Sequence, residues 1–217
     1  MNTSAADAAT PKASKVKKIL LGILAAFLAL IAIISVAASM QPTDFSYTRS
    51  ATFKATPAAV FEQVNDFHKW DAWSPWVKLD PNAKSTFEGP TSGEGAKMSW
   101  AGNYEVGEGN MTIVESKPND VVRIRLEFIK PMAGVCDTTM KVEPKGDETS
   151  LSWTMSGKNK FPAKVMGLFM DCEKMCGDQF EKGLSNMKGI VENPPVRSNE
   201  TQPATPAETE PAKSSDT

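Results

Sequence analysis

Histidine occurs once in these 217 residues and cysteine three times. Each scarcity removes a class of chemistry. A catalytic His68 would need a nucleophile and an orienting carboxylate in reach, and only its sequence neighbours Asp66 and Asp71 offer one, so we read it as a surface or loop histidine. Three cysteines are too few, and odd in number, for a disulfide framework. Cys172 and Cys176 stand four apart on an expected helix, which puts their Cβ atoms about 5 to 6 Å apart, beyond the ~3.8 Å a disulfide prefers. With Cys136 they could surround zinc only with a fourth ligand that the chain does not suggest, so all three are read as buried thiols among the sulfur-rich core filler that eleven methionines supply. No CxxC, HExxH, P-loop or GxSxG string occurs, and no cofactor is expected. From Asp44 to Glu192, Lys plus Arg total 18 against 21 Asp plus Glu, a net charge of −3 with no block of one sign, which gives nucleic acid nothing to bind.

What the chain does have is an uninterrupted apolar run, Ile19 to Ala38, with only Gly22 and Ser35 outside the strongly apolar set. As a helix rising ~1.5 Å per residue it spans about 30 Å, the thickness of a bilayer core. Lys12, Lys15, Lys17 and Lys18 crowd its N-terminal side, whereas the first basic residue beyond it is Arg49. The positive-inside rule then keeps residues 1–18 in the cytoplasm and sends the rest across the inner membrane. A cleaved leader shares the basic start and the small residues Val36, Ala37 and Ala38, but its apolar stretch is usually ~7 to 15 residues, so an uncleaved single-pass anchor is expected. No cysteine stands directly after the run to carry a lipid. Residues 193–217, rich in Pro, Ser, Thr and Ala, are expected to be disordered.

Between these ends, residues 41–192 suffice for one domain with one core. Phe45, Tyr47, Arg49, Ala51 and Phe53 alternate with polar residues, the period of a half-buried strand. Thr56-Pro57 then caps and opens a short helix through Val60, Phe61 and Val64, and Phe67, Trp70 and Trp73 occupy a second short helix or turn that Ser74-Pro75 ends. Strand patterns follow at Lys97–Trp100, from Tyr104 and Val106 onward, and at Met111–Ser116. Three more are clearer, with Val122, Ile124, Leu126 and Phe128 inward, then Cys136, Thr138, Met140 and Val142, then Leu151, Trp153 and Met155. Lys145-Gly146-Asp147 joins the last two as a hairpin. Gly93, Gly95, Gly102, Gly107 and Gly109 fit turns and bulges of a curved sheet. After Pro162 the period becomes helical through Val165, Leu168, Phe169, Cys172, Met175, Cys176, Phe180 and Leu184 to Val191, predicting one helix of roughly 27 residues. An antiparallel sheet with one face to bury and a single long helix to cover it is an α+β domain.

That order, and the strings TPAAVFEQVNDFHKWDAWSPW, GEGAKMSWAGNYEVGEGNMTIVESKPNDVVRIRLEF, TSLSWTMSG and MGLFMDCEKMCGDQFEKGLSNMK, resemble the START-like or SRPBCC superfamily in its polyketide cyclase/dehydrase branch. The resemblance covers about Phe45 to Val191. It implies the helix-grip fold, an antiparallel sheet curved around a long C-terminal helix, with a cavity between sheet and helix and little shared catalytic machinery.

The residues placed on inward phases then become candidates for the cavity wall: Trp100, Tyr104, Phe128, Cys136, Met140, Trp153, Met155, Phe169, Cys172 and Phe180. Large, soft side chains of this kind line an apolar pocket as readily as they fill a core, and the resemblance favours the pocket. The expected partners are a hydrophobic small molecule or lipid and the membrane itself. An enzyme of cyclase, dehydratase or hydrolase type would need an acid and a base converging in the same space, with Arg49, Glu62 and Glu105 as candidates should they point inward. A packed interaction module is the third alternative.

Overall fold

The computed structural model describes residues 12–193, so the N-terminal end of the basic arm and the expected disordered tail beyond Asn193 lie outside the described residues. Helix α1 (Lys12–Met40) precedes strand β1 (Asp44–Phe53). Then come α2 (Pro57–Asn65), a 3-10 turn at Phe67–Lys69, α3 (Trp70–Trp73) and a second 3-10 turn at Pro75–Lys78. The chain continues through β2 (Lys84–Glu88), β3 (Lys97–Ala101), β4 (Glu108–Lys117), β5 (Val121–Lys130), β6 (Gly134–Lys145) and β7 (Glu148–Lys158), and closes with α4 (Phe161–Met166) and α5 (Cys172–Glu192).

The seven strands form one antiparallel sheet in the order β1-β7-β6-β5-β4-β3-β2. Residues β2 to β7 make a meander, and β1 returns to pair with β7. Local chemistry explains the joints. The Thr56 side chain accepts from the Ala59 amide at 3.3 Å and Pro57 sets the first turn of α2. Gly146, at φ 63°, turns β6 into β7. Asp171 caps α5 by accepting from the Lys174 amide at 2.8 Å.

The core lies between the sheet's concave face and the helices, and joins Phe53, Val60, Phe67, Trp73, Ile113, Ile124, Met140, Leu151, Leu184 and Met187. α5 lies across β1, where the Arg49 Nε donates to Glu181 Oε1 at 2.9 Å beneath Gly177, a position at which any side chain would meet the guanidinium. The Asn186 amide donates to the Trp73 carbonyl at 3.0 Å and holds α3 to the same helix.

Four expectations are corrected. The single 27-residue helix is two, since Gly167–Asp171 breaks the helical pattern and the Asp171 cap starts a new helix. Phe169 falls in that break and is 70% exposed. Tyr104 does not lead a strand. It sits in the β3–β4 turn, 83% exposed, because Asn103 Oδ1 accepts from the amides of Glu105 and Val106 and folds the segment back. Cys172 and Cys176 are partly exposed, and only Cys136 is buried. Strand β2, exposed at every residue, carries no alternation and has no counterpart among the strands read from the sequence.

Among the described residues one helix, Lys15–Met40, is long and apolar enough to cross a membrane, and its apolar window is not buried against the rest of the protein.

Candidate functional site

The sheet and helices border a cavity of about 310 Å³ that is partly open to solvent. Its floor is Met111 of β4, Leu126 and Phe128 of β5, Thr138 of β6, and Trp153 and Met155 of β7. These are alternate residues on neighbouring strands, so the pleat that buries one of a row aims the rest at the same space. Cys176 and Phe180 of α5 close it from above. Trp70 and Trp76 form one wall and Met98, Trp100 and Val106 the opposite one.

The indoles are fixed in place. Trp100 Nε1 donates to the Val106 carbonyl at 3.2 Å, and Trp70 Nε1 to the Val64 carbonyl at 3.4 Å. With their polar atoms engaged by backbone, these rings offer the cavity carbon surface. Trp153, 3% exposed, is the centre of the cluster: Phe180 stacks on it with centroids 4.4 Å apart, and Trp70, Trp73 and Trp76 pack edge-on at 5.6 to 6.2 Å. The wall's polar groups are Asp71, Ser74, Ser85 and Thr138, the last being 3% exposed.

Of the ten residues singled out from sequence, the structure gathers Trp100, Phe128, Trp153, Met155 and Phe180 around this cavity. The other five lie elsewhere. Met140 is wholly buried in the core behind it. Cys136 is buried beside Gly157 on the same face of β6 as Thr138, one step beyond the residues that line the cavity. Cys172 sits at the start of α5, and Tyr104 and Phe169 face outward. Leu126 and Thr138 were legible as inward residues of their strands. Trp76, Val77, Ala83 and Ser85 were not, because they come from the 3-10 turn, the loop after it and the exposed edge strand β2, and the loop is placed by Asn103 donating to the Leu79 carbonyl at 3.2 Å and Asp80 accepting from the Asn103 amide at 2.6 Å.

The candidate acid and base groups do not meet in this space. Arg49 is held by Glu181 and, at 3.8 Å, Glu173. Glu62 pairs with Lys69 on the surface, and Glu105 lies in the β3–β4 turn. His68 stacks on Phe87 with centroids 4.1 Å apart and its Nδ1 lies 3.0 Å from Asp66, outside the cavity. Asp71 is the carboxylate in the lining. Among the described residues no three His, Cys, Asp or Glu side chains converge to hold an ion.

Burial pushes the Cys136 thiol up from its ordinary value of 9.0 to about 12, with Asp137 adding to the shift, and burial raises Cys176 as well. Because the folded value of Cys136 lies above the unfolded one, its contribution to stability is complete below pH ~9 and is lost as pH rises toward 12. Urea denaturation from pH 8.5 to 11 is therefore expected to show a steeper loss of stability in the wild type than in Cys136→Ala. Equal slopes would mean that the thiol ionises as freely in the fold as outside it.

Residues 44–192 match the family model described as polyketide cyclase / dehydrase and lipid transport. No curated protein is matched by the chain. Solved structures with a similar fold include protein CV1439 from Chromobacterium violaceum, at 16% identity and TM-score 0.51, covering 70% of this chain and 99% of that one. Protein MLL2253 from Mesorhizobium loti, at 9% identity and TM-score 0.53, covers 70% and 100%. The ginseng major latex-like protein 151 from Panax ginseng, at 12% identity and TM-score 0.50, covers 69% and 99%. At these identities the likeness is one of fold, and it is the family match, spanning strand β1 to the end of α5, that places the sequence: the chain belongs to the polyketide cyclase / dehydrase and lipid transport family, with the helix-grip architecture of the START-like superfamily.

Proposed function

We propose that this protein is a membrane-anchored binding protein that holds an apolar or amphipathic small molecule, such as a lipid or polyketide-like compound, between its sheet and its long helix. The observation that carries the reading is the cavity: about 310 Å³, walled by aromatic, methionine and aliphatic side chains with four polar residues, Asp71, Ser74, Ser85 and Thr138, in its lining. Small-molecule sites run to roughly 300–1,000 Å³ and share that composition. Each apolar group closed over a ligand contributes on the order of 25 cal/mol per Å² removed from water, so binding here requires no charged anchor. The family's association with lipid transport supports the same class of ligand. Trp100, Phe128, Trp153, Met155 and Phe180 are the proposed contacts, with Thr138 available to orient one hydroxyl or carbonyl. The anchor is Ile19 to Ala38, with the N-terminus cytoplasmic and the domain outside the inner membrane.

Cys176 offers the test, since it borders the cavity from α5 and is itself only partly buried. In a filled core, enlarging such a residue costs typically 1 to 3 kcal/mol. Cys176→Phe is expected to cost less than about 1 kcal/mol, because the ring enters empty space, and to abolish retention of small molecules by the detergent-extracted full chain as read by native mass spectrometry. A wild-type protein that retains nothing, together with a Cys176→Phe variant that unfolds, would replace the binding reading with that of a packed module.

A further inference from the structure

The strand registers give the domain two ends of opposite character. β1 begins at Asp44 opposite Lys158, β6 begins at Gly134 opposite Phe128, and Ala101 pairs with both Glu108 and Lys84, so the turns at 102–107, 130–134 and 158–171 all lie at the end where α1 enters. The turns at the opposite end are Gly89–Ala96, Pro118–Asp120 and Gly146-Asp147, none of which contains a large apolar side chain. The α1 end exposes Tyr104 (83%), Met132 (39%), Phe161 (50%), Phe169 (70%) and Met170 (42%).

Helix α1 specifies what covers them. Only residues 41–43 separate its last residue from β1, a reach of at most ~14 Å. The link is short and also tied down. α4 packs against α1, whose Ala38 is fully buried, while Lys164 Nζ donates to Thr43 Oγ1 at 2.9 Å and the Asn159 amide donates to the Thr43 carbonyl at 2.7 Å. A segment packed on the last turns of a bilayer-spanning helix stands at the level of the bilayer boundary. We infer that this end of the domain is seated in the leaflet from which α1 emerges, with Tyr104, Met132 and the α4–α5 connection immersed at the headgroup–acyl boundary. The inference rests on the reading of α1 as an anchor.

The chemistry fits that depth. Tyrosine places its ring below and its hydroxyl above the interface, phenylalanine and methionine bury outright, and Lys158 and Lys160 in the same segment, with no acidic residue between Lys158 and Asp171, suit anionic headgroups. The cavity lies toward the same end, because Phe128, Thr138, Met155 and Cys176 all come from the halves of their elements nearest α1. Ligand site and bilayer thus share one side of the domain.

The test uses the full chain in nanodiscs of deuterated phosphatidylethanolamine and phosphatidylglycerol, so that bilayer lipid is distinguished from any cellular lipid in the cavity. Photoreactive benzoylphenylalanine replaces Tyr104, Phe169, Asp147 or Leu24 one at a time, each an exposed position. The expected result is deuterated-lipid adducts at 24, 104 and 169 and none at 147. Adducts at 24 alone would overturn the seating while leaving the anchor and the binding reading intact. Adducts at all four positions would overturn the sidedness on which the seating depends. Their absence everywhere, including 24, would overturn both the anchor and the seating.

Discussion

Trp153→Ala is expected to destabilise the folded domain by about 3 to 5 kcal/mol, the usual cost of deleting a buried large aromatic. Trp153 is 3% exposed and contacts four other aromatic rings, three from the Trp70–Trp76 segment and one from α5. Its removal leaves Phe180 without a stacking partner and Trp73 without an edge-on neighbour, while Trp76 keeps only Phe180. Local collapse is hindered because Gly183 on α5 already sits against the indole, where an added Cβ would come within 3.1 Å of Trp153 Cζ3. Chemical denaturation of the variant measures the loss, and a change below about 1 kcal/mol would show that the aromatic cluster is loosely packed.

The second large effect is expected at Gly109, where β4 passes beneath the Trp100 ring. A Cβ there would lie 2.5 Å from the Glu127 carbonyl oxygen and 2.5 Å from Trp100 Cζ2. The backbone oxygen belongs to the β4–β5 ladder and cannot retreat, and Trp100 is held by its bond to the Val106 carbonyl. Gly109→Val should therefore cost roughly 3 kcal/mol, the upper range for overpacking, and should displace Trp100 from the cavity wall. Gly134→Val is the matched comparison, since nothing lies within 4 Å of its added Cβ. Thermal unfolding of the two variants should differ widely. Equal melting temperatures would show that Trp100 and its strand yield freely.

The glycine and tryptophan positions also mark how far sequence reasoning reached. Alternation located β1 and β5 to β7 with the correct face inward, because those strands bury one side against helices and the side-chain period reports it directly. The edge strand β2 buries neither side, so no period existed to read. The C-terminal pattern ran on past Gly167 because apolar residues at helical spacing continue through Leu168, Phe169 and Met170, although those residues form a turn. Spacing alone does not distinguish an apolar face turned to the core from one turned outward, which is also why Phe169 was assigned to the interior. The cavity's strand-borne residues were legible for the same reason as the strands. The loop between the 3-10 turn that carries Trp76 and the edge strand that carries Ser85 takes its position from the Asp80 and Asn103 hydrogen bonds, a long-range dependence that no local pattern encodes.

The pairing of β1 with β7 has a consequence for how the domain is made. Thr48 meets Thr154 across 106 residues, hydroxyl to hydroxyl at 2.8 Å, and Ser50 meets Ser152 likewise at 2.9 Å. The meander from β2 to β7 assembles through neighbouring hairpins, whereas β1 closes a loop of nearly the whole domain, the entropically slowest contact in the sheet. β1 is thus the first strand synthesised, and its partner β7 is the last. While β1 waits, one of its faces consists of Ser46, Thr48, Ser50 and Thr52, a hydrated row of small hydroxyls that discourages apolar association between nascent neighbours on that side.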